Sequence, residues 1–204
     1  MARYGAEHKQ ATRRRMIETS GRRFKSDGIE GSGIATLVAD AGLTNGAFYG
    51  HFSSKDDLVA AVVTDQLATQ VALLDSLPAG PGLAAFIRDY LSAAHRDDPA
   101  TGCPSAALLD EIGRCDAATR RAYTTGVRSV IAAIARHLED GDDQASPAEE
   151  RATALVGLLV GSLQLARAVD DRALSDRVLA AARANALALV APAGQRPTSV
   201  RESA

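Results

Sequence analysis

The sequence predicts an all-α protein of about nine helices, and three observations predict it. Alanine, leucine, arginine and aspartate dominate the 204 residues, with four phenylalanines, four tyrosines and no tryptophan. β-branched residues form only short runs, too short for the strands of a sheet. Apolar residues recur instead at three- and four-residue intervals, in segments closed by capping residues, glycine and proline.

The first helix runs from about Glu7 to Asp27, turns Ile17 and Phe24 inward, and stops at Gly28. Gly21 in its middle costs about 0.5–1 kcal/mol relative to alanine unless close packing requires it. Residues 34–52 then read as two short helices joined by a tight turn. Ile34, Leu37 and Val38 share one face of the first of these. Gly42 suits the left-handed backbone that ends it, and Leu43 is expected as a buried plug. Thr44 is an N-cap for the second helix, which Ala47 and Phe48 hold inward. The pattern is a helix-turn-helix, which presents the first residues of its second helix to the major groove of DNA.

A fourth helix starts at Ser54, whose hydroxyl can cap the amide of Asp57, and ends near Leu77. Pro78-Ala79-Gly80-Pro81-Gly82 is the clearest break in the chain. A fifth helix spans about Leu83 to His95, and a loop from Arg96 to Gly102 leads to a sixth at about Pro104 to Gly113. The seventh, from Asp116 to about Leu138, ends in an acidic loop over 139–145. Ser146-Pro147-Ala148-Glu149 reads as a capping box with proline at the first helical position, so an eighth helix starts there. Between Leu155 and Val169 it is apolar on nearly every face, and such a helix must be covered on all sides. One side can face a core; the other needs a partner. The ninth helix, about Ala173 to Leu189, offers Val178, Leu179, Ala182, Ala186 and Leu189 beside it. Two such helices from each of two subunits make a four-helix bundle. Residues 191–204, with Pro192 and Pro197 among small polar residues, read as a disordered tail.

The first 60 or so residues resemble the TetR family of bacterial transcriptional regulators. The matching string is Phe24, Gly28, Ile34 to Val38, Ala41-Gly42-Leu43-Thr44, Gly46, Phe48-Tyr49, His51-Phe52, Ser54-Lys55 and Leu58. Its ordered spacing is far more specific than a bare helix-turn-helix. Gly21 and Arg23 depart from it, standing where the family usually has leucine, and Gly50 replaces a larger residue. The resemblance implies a homodimer joined through the last two helices, a palindromic DNA operator, and release by a small-molecule effector.

Charge follows the same division. Residues 1–56 carry nine Lys/Arg against six acids, about +3, although the whole chain stands at -2. That polarity puts the phosphate-binding surface on the N-terminal part. Arg13-Arg14-Arg15 fits a phosphate-contacting stretch just ahead of the helix-turn-helix. Thr44, Asn45 and Gly46 lead the recognition helix, and asparagine pairs bidentately with adenine. By resemblance Tyr49 contacts phosphate or base, and His51 and Lys55 contact the DNA backbone. Ser32 either caps the helix that follows it or touches phosphate; the two readings stand level.

Other chemistry is sparse. Gly102-Cys103-Pro104 puts a thiol at a helix start, where unpaired amides can make a thiolate reactive. Some TetR-like electrophile or oxidant sensors carry Gly-Cys in this region; a small covered residue is the favoured reading. Cys115 is a possible resolving partner. Two cysteines make no disulfide framework. The four histidines lack metal-ligand spacing. Asp110-Glu111 reads as a solvated face. No nucleophile has a positioned base, so neither an enzyme, a cofactor nor a metal is expected. The start of the chain has no secretory h-region and residues 152–169 are broken by Ser162, Gln164 and Arg167, which points to a cytoplasmic protein without a membrane partner.

The expected organisation is a DNA-binding unit over residues 1–53, an effector-binding and dimerisation unit over 54–190, and the tail. Effector contacts are expected among Phe86, Tyr90, Cys103, Leu108, Tyr123, Val127, Leu159 and Leu163, each of which could equally be plain core. A Cys103-based redox repressor is the alternative, and a helical dimerisation protein without DNA binding a remote one.

Overall fold

The computed structural model describes residues 2–138 and 147–191, residues 2–6 as backbone only. Ten helices and no strands occur among the described residues. They are α1 (Ala2–Asp27), α2 (Ile34–Asp40), α3 (Asn45–Phe48), α4 (Lys55–Asp75), α5 (Pro81–Tyr90), α6 (Ala93–Asp97), α7 (Pro104–Arg114), α8 (Ala117–Arg136), α9 (Ala148–Ala168) and α10 (Arg172–Val190). The tenth helix comes from a break in the expected Leu83–His95 segment. Leu91 leaves the helical region at ψ 45, and the Ser92 hydroxyl caps a fresh turn by accepting from the His95 amide at 3.2 Å. α9 starts at Ala148 with Pro147 at its N-cap, one position later than the capping box implied. Ser146, the acidic loop and the tail after Ala191 lie outside the described residues.

The chain divides into two compact units. The first holds the residues up to Ala72 together with Asp98–Ser129, that is α1 to α3, most of α4, α7 and most of α8. Its core is aromatic near the N-terminus, where Phe24, Phe48 and Phe52 are fully buried, and aliphatic along α4 and α7 through Leu58, Val62, Leu67, Leu108 and Ile112. α4 is long and apolar enough by composition to cross a membrane, and about a third of that stretch is buried in the fold.

Gly21 is explained here. A Cβ on it would lie 2.1 Å from the Gln66 side chain, so α1 and α4 approach at a glycine. The division differs from one drawn after residue 53, for a visible reason. Lys25 Nζ donates to the Gly102 carbonyl at 2.8 Å, and Glu111 on α7 takes two amides of the loop after α1. Those bonds tie α7 to the N-terminal helices.

The second unit holds Leu73–Asp97 and the residues from Val130 on. α9 and α10 pack along each other through Leu155, Leu159, Leu163, Leu179 and Ala186, all buried. One charged side chain is buried with them. Arg96 donates to Ser175 Oγ at 2.8 Å and Asp176 at 2.6 Å, and its Nε to Asp97 at 2.8 Å. Arg172 completes the cluster on Asp97, whose carboxyl is held well below the usual carboxylate range by Arg96 first and Arg172 second.

Candidate nucleic-acid interface

α2 begins with Gly33 at its N-cap and no side-chain cap. Ser32 fits neither of its expected roles. It is buried, and its hydroxyl donates to the Gly28 carbonyl at 2.7 Å, closing the turn between α1 and α2. A hydroxyl engaged inward neither caps a helix nor reaches a phosphate. At the other end of α2, Gly42 takes φ 66, and the Leu43 amide returns to the Val38 carbonyl at 2.8 Å. Leu43 itself is half-buried rather than a sealed plug.

Thr44 takes the extended backbone of an N-cap, although its hydroxyl makes no capping bond. α3 is four residues long, too short to be stable by itself. Phe48 fixes it: the ring is fully buried and meets Phe52 at 5.8 Å between centroids. With that face locked, Thr44, Asn45 and Gly46 stand exposed together at the start of the helix. Tyr49 is 66% exposed and makes an edge-on contact with Phe48 at 5.2 Å.

The next turn is built with care. Ser54 Oγ accepts from the Asp57 amide at 3.1 Å, and Asp57 in return accepts from the Ser53 amide at 2.9 Å. This reciprocal cap sets Lys55 as the first residue of α4. His51 is half-buried, with Nδ1 covered and without a hydrogen-bond partner among the described residues. Burial, then the charges of Lys9 and Arg13, push its pKa down, so the ring is held neutral among cations. The Arg13 guanidinium lies 4.7 Å from the Phe52 ring centroid.

Two supports escaped sequence reasoning. Arg23, which stands in place of the family's leucine, grips both oxygens of Asp40 at 2.7 and 2.9 Å and also Asp27 at 2.8 Å. This fork joins α1 to the end of α2 and lowers the Asp40 pKa. Glu111, read as solvated, accepts from the amides of Ile29 at 2.7 Å and Glu30 at 3.1 Å. Gly28 makes room for it: at φ 81, a Cβ there would come within 2.9 Å of the carboxylate. Only a fold that returns α7 to this loop gives Glu111 a role. Its neighbour Asp110 does stay exposed, paired with Arg114.

The residues expected around an effector are shared between the two units. Cys103, Leu108, Tyr123 and Val127 belong to the first unit; Phe86, Tyr90, Leu159 and Leu163 belong to the second. Cys103 is the N-cap of α7, nearly covered, with Sγ 3.6 Å from Gln70 Oε1. Tyr123 donates to Ser105 Oγ at 3.0 Å, and burial raises its pKa. Leu108, Leu159 and Leu163 are core. Phe86 and Tyr90 meet at 5.7 Å with their rings tilted by 51°, and Tyr90 meets His95 edge-on at 4.7 Å. A groove of about 340 Å³ runs instead between α4 and α8, walled by Leu67, Ala68 and Val71 on one side and Arg121, Thr125 and Gly126 on the other. None of the eight expected residues lines it. Small side chains open this space, and their sequence signal is weak.

Comparison with known proteins bears on both units. The family model of the bacterial regulatory proteins of the tetR family matches residues 17–62, and that of a tetracyclin repressor-like C-terminal domain matches residues 79–182. The transcriptional repressor NemR of Escherichia coli is 27% identical over 136 residues, covering 64% of this chain and 68% of that protein. The transcriptional regulator TtgR of Pseudomonas putida is 31% identical over 176 residues, covering 83% and 71%. The crystal structure of reduced E. coli NemR superposes with a TM-score of 0.76 at 24% identity, over 90% of this chain and 99% of that one, a likeness of fold. A helix-turn-helix with its leading residues exposed, on an all-α scaffold matched along nearly its whole length, defines a DNA-binding transcriptional regulator. The chain belongs to the TetR family.

Proposed function

We propose that the protein is a homodimeric repressor that a small-molecule effector releases from a palindromic operator. One observation carries the DNA-contacting part: Asn45 at the start and Tyr49 at the C-cap of a four-residue helix are exposed, while fully buried Phe48 locks its opposite face. Thr44, Asn45 and Gly46 meet base edges, Asn45 as the bidentate reader of adenine. Tyr49, His51 and Lys55 hold the backbone, with Lys9 and Arg13 adding charge beside His51. The assigned roles divide into DNA reading by residues 1–53 and effector binding and dimerisation by residues 54–190. The protein acts by binding and carries no catalytic role.

Dimerisation through α9 and α10 draws support from the outward face of α9. Gly157, Gly161 and Leu165 recur every four residues and are exposed, Leu165 at 53%, with Leu174 exposed at the start of α10. Glycines allow close helix approach and the leucines supply apolar area. Two recognition helices then sit about 34–36 Å apart to meet successive half-sites. Effector binding that displaces α4 changes that separation, since α4 begins directly after the His51–Phe52 turn. A gel shift with the DNA upstream of the protein's own gene tests the reading; a protein that shifts this DNA no better than random duplex contradicts it.

A thiol-sensing reading has one specific support: Cys103 leads α7, the helix whose Glu111 holds the loop before α2. The near-complete burial of Cys103 favours a structural role instead. A switch disulfide with Cys115 is out of reach while α7 stays helical, because twelve residues of helix span roughly 18 Å and a disulfide needs Cα atoms within about 7 Å. Slow alkylation of Cys103 by iodoacetamide in the folded protein is expected. Rapid labelling near neutral pH would reinstate the sensor.

A further inference from the structure

The groove between α4 and α8 has a definite chemistry. Its floor and walls are mainly apolar, from Leu67, Ala68, Val71 and Ala122, and its volume of about 340 Å³ suits a small ligand. Arg121 is the one charged residue in the lining. It is exposed and forms no salt bridge among the described residues. Thr125 follows it at i+4, on the same face of α8, and its hydroxyl makes no hydrogen bond among the described residues. The other two hydroxyls in the lining are engaged: Thr64 donates to the Ala60 carbonyl at 2.8 Å and Ser129 to the Thr125 carbonyl at 3.2 Å. Thus the groove offers one cation and one free donor side by side, at the edge of apolar walls.

We propose that this groove is the effector site and that it takes an amphipathic monocarboxylate, with its apolar body between α4 and α8 and its carboxylate on Arg121 and Thr125. A guanidinium can hold a planar carboxylate through two parallel hydrogen bonds. A neutral ligand leaves the donors unmet, and a cationic one faces Arg121 with no acid in the lining to balance it. The position also supplies the lever. α8 meets α4 at Gly126, where a Cβ would lie 2.4 Å from Leu67, so the two helices touch within the stretches that line the groove. A body pressed into that space parts α4 from α8, and α4 leads straight to the His51–Lys55 turn. The inference rests on the repressor reading for its regulatory meaning, but the binding site stands or falls by itself.

Isothermal titration of the full-length protein without DNA is the test, with octanoate as probe and 1-octanol and octylammonium as neutral and cationic controls of equal length. Octanoate is expected to bind once per chain, and octylammonium not to bind. Arg121→Gln should weaken octanoate at least tenfold while leaving 1-octanol unchanged, and Ala122→Leu, which fills the groove, should abolish both. Circular dichroism checks that each variant is folded, and Ala68→Leu on the opposite wall replaces Ala122→Leu if the latter is not. Absence of saturable octanoate binding overturns the proposal. So does binding that Arg121→Gln leaves intact, that the groove-filling variant leaves intact, or that octylammonium matches. A gel shift without ligand keeps the two readings apart. Operator binding with no octanoate binding removes the site and leaves the repressor; octanoate binding with no operator binding does the reverse.

Discussion

The helices that face DNA and the α9–α10 pair are held by different chemistry. The first three helices rest on three buried phenylalanines and on polar clasps of fixed geometry: Arg23 on Asp40, Glu111 on two amides, Ser54 on the Asp57 amide and Asp57 on the Ser53 amide. α9 and α10 rest on leucine and alanine at helical spacing, around a single buried guanidinium. A reading surface four residues long must be positioned to a fraction of an ångström, and directional bonds do that. A bundle face need only be apolar and of the right volume, and many sequences satisfy it. The contrast explains why one end of the chain carries a recognisable string and the other does not.

The largest effects should separate the two faces of α9. Leu163→Glu buries an unpaired carboxylate in the core and is expected to cost several kcal/mol, leaving little folded protein by circular dichroism. Leu165→Glu, on the exposed face, should remain folded yet run as a monomer in light scattering and fail to bind a palindrome. A folded dimer from Leu165→Glu would move the interface elsewhere.

Within the DNA-contacting region, Asn45→Ala should cost about 1–3 kcal/mol on the cognate site and relax its base preference. Lys55→Ala should instead weaken all sequences alike and lower the salt slope by about one ion. Equal losses of both variants on specific and random DNA would reverse these roles.

A clasp can be tested apart from any contact with DNA. Glu111→Ala removes two charge-assisted bonds to the loop before α2, worth about 1–2 kcal/mol of stability. A lower Tm is expected with weakened operator affinity, while the helical signal stays unchanged. Full operator affinity in this variant would show that α7 does not position the reading surface.

The smallest expected effect is on pH. Burial first, and Lys9 and Arg13 after it, lower the His51 pKa in the folded protein. Its neutral form therefore contributes stability above the unfolded value near 6.5, and that contribution is lost as pH falls below it. A DNA phosphate at His51 acts oppositely, raising the pKa and drawing in a proton on binding. Operator affinity should thus rise, by less than about tenfold, as pH falls from 8 to 6. His51→Gln should flatten that dependence; an unchanged slope would take His51 off the phosphate.

The sequence by itself determined the all-α class, the helix-turn-helix, the Gly42 turn, the Ser54 cap and the exposure of Asn45. Each depends on residues within a few positions of one another, where spacing and capping preferences act directly. The tertiary structure alone decided the rest. Gly21 found its place in the packing because the Gln66 side chain of α4 passes over it. Glu111 changed from a solvated acid to a clasp because the fold returns α7 to a loop some eighty residues earlier in the chain. The groove opened between alanines, threonines and a glycine that, read one at a time, point to no pocket. Each of these depends on which distant side chain fills the space opposite, and a local pattern holds no information about that.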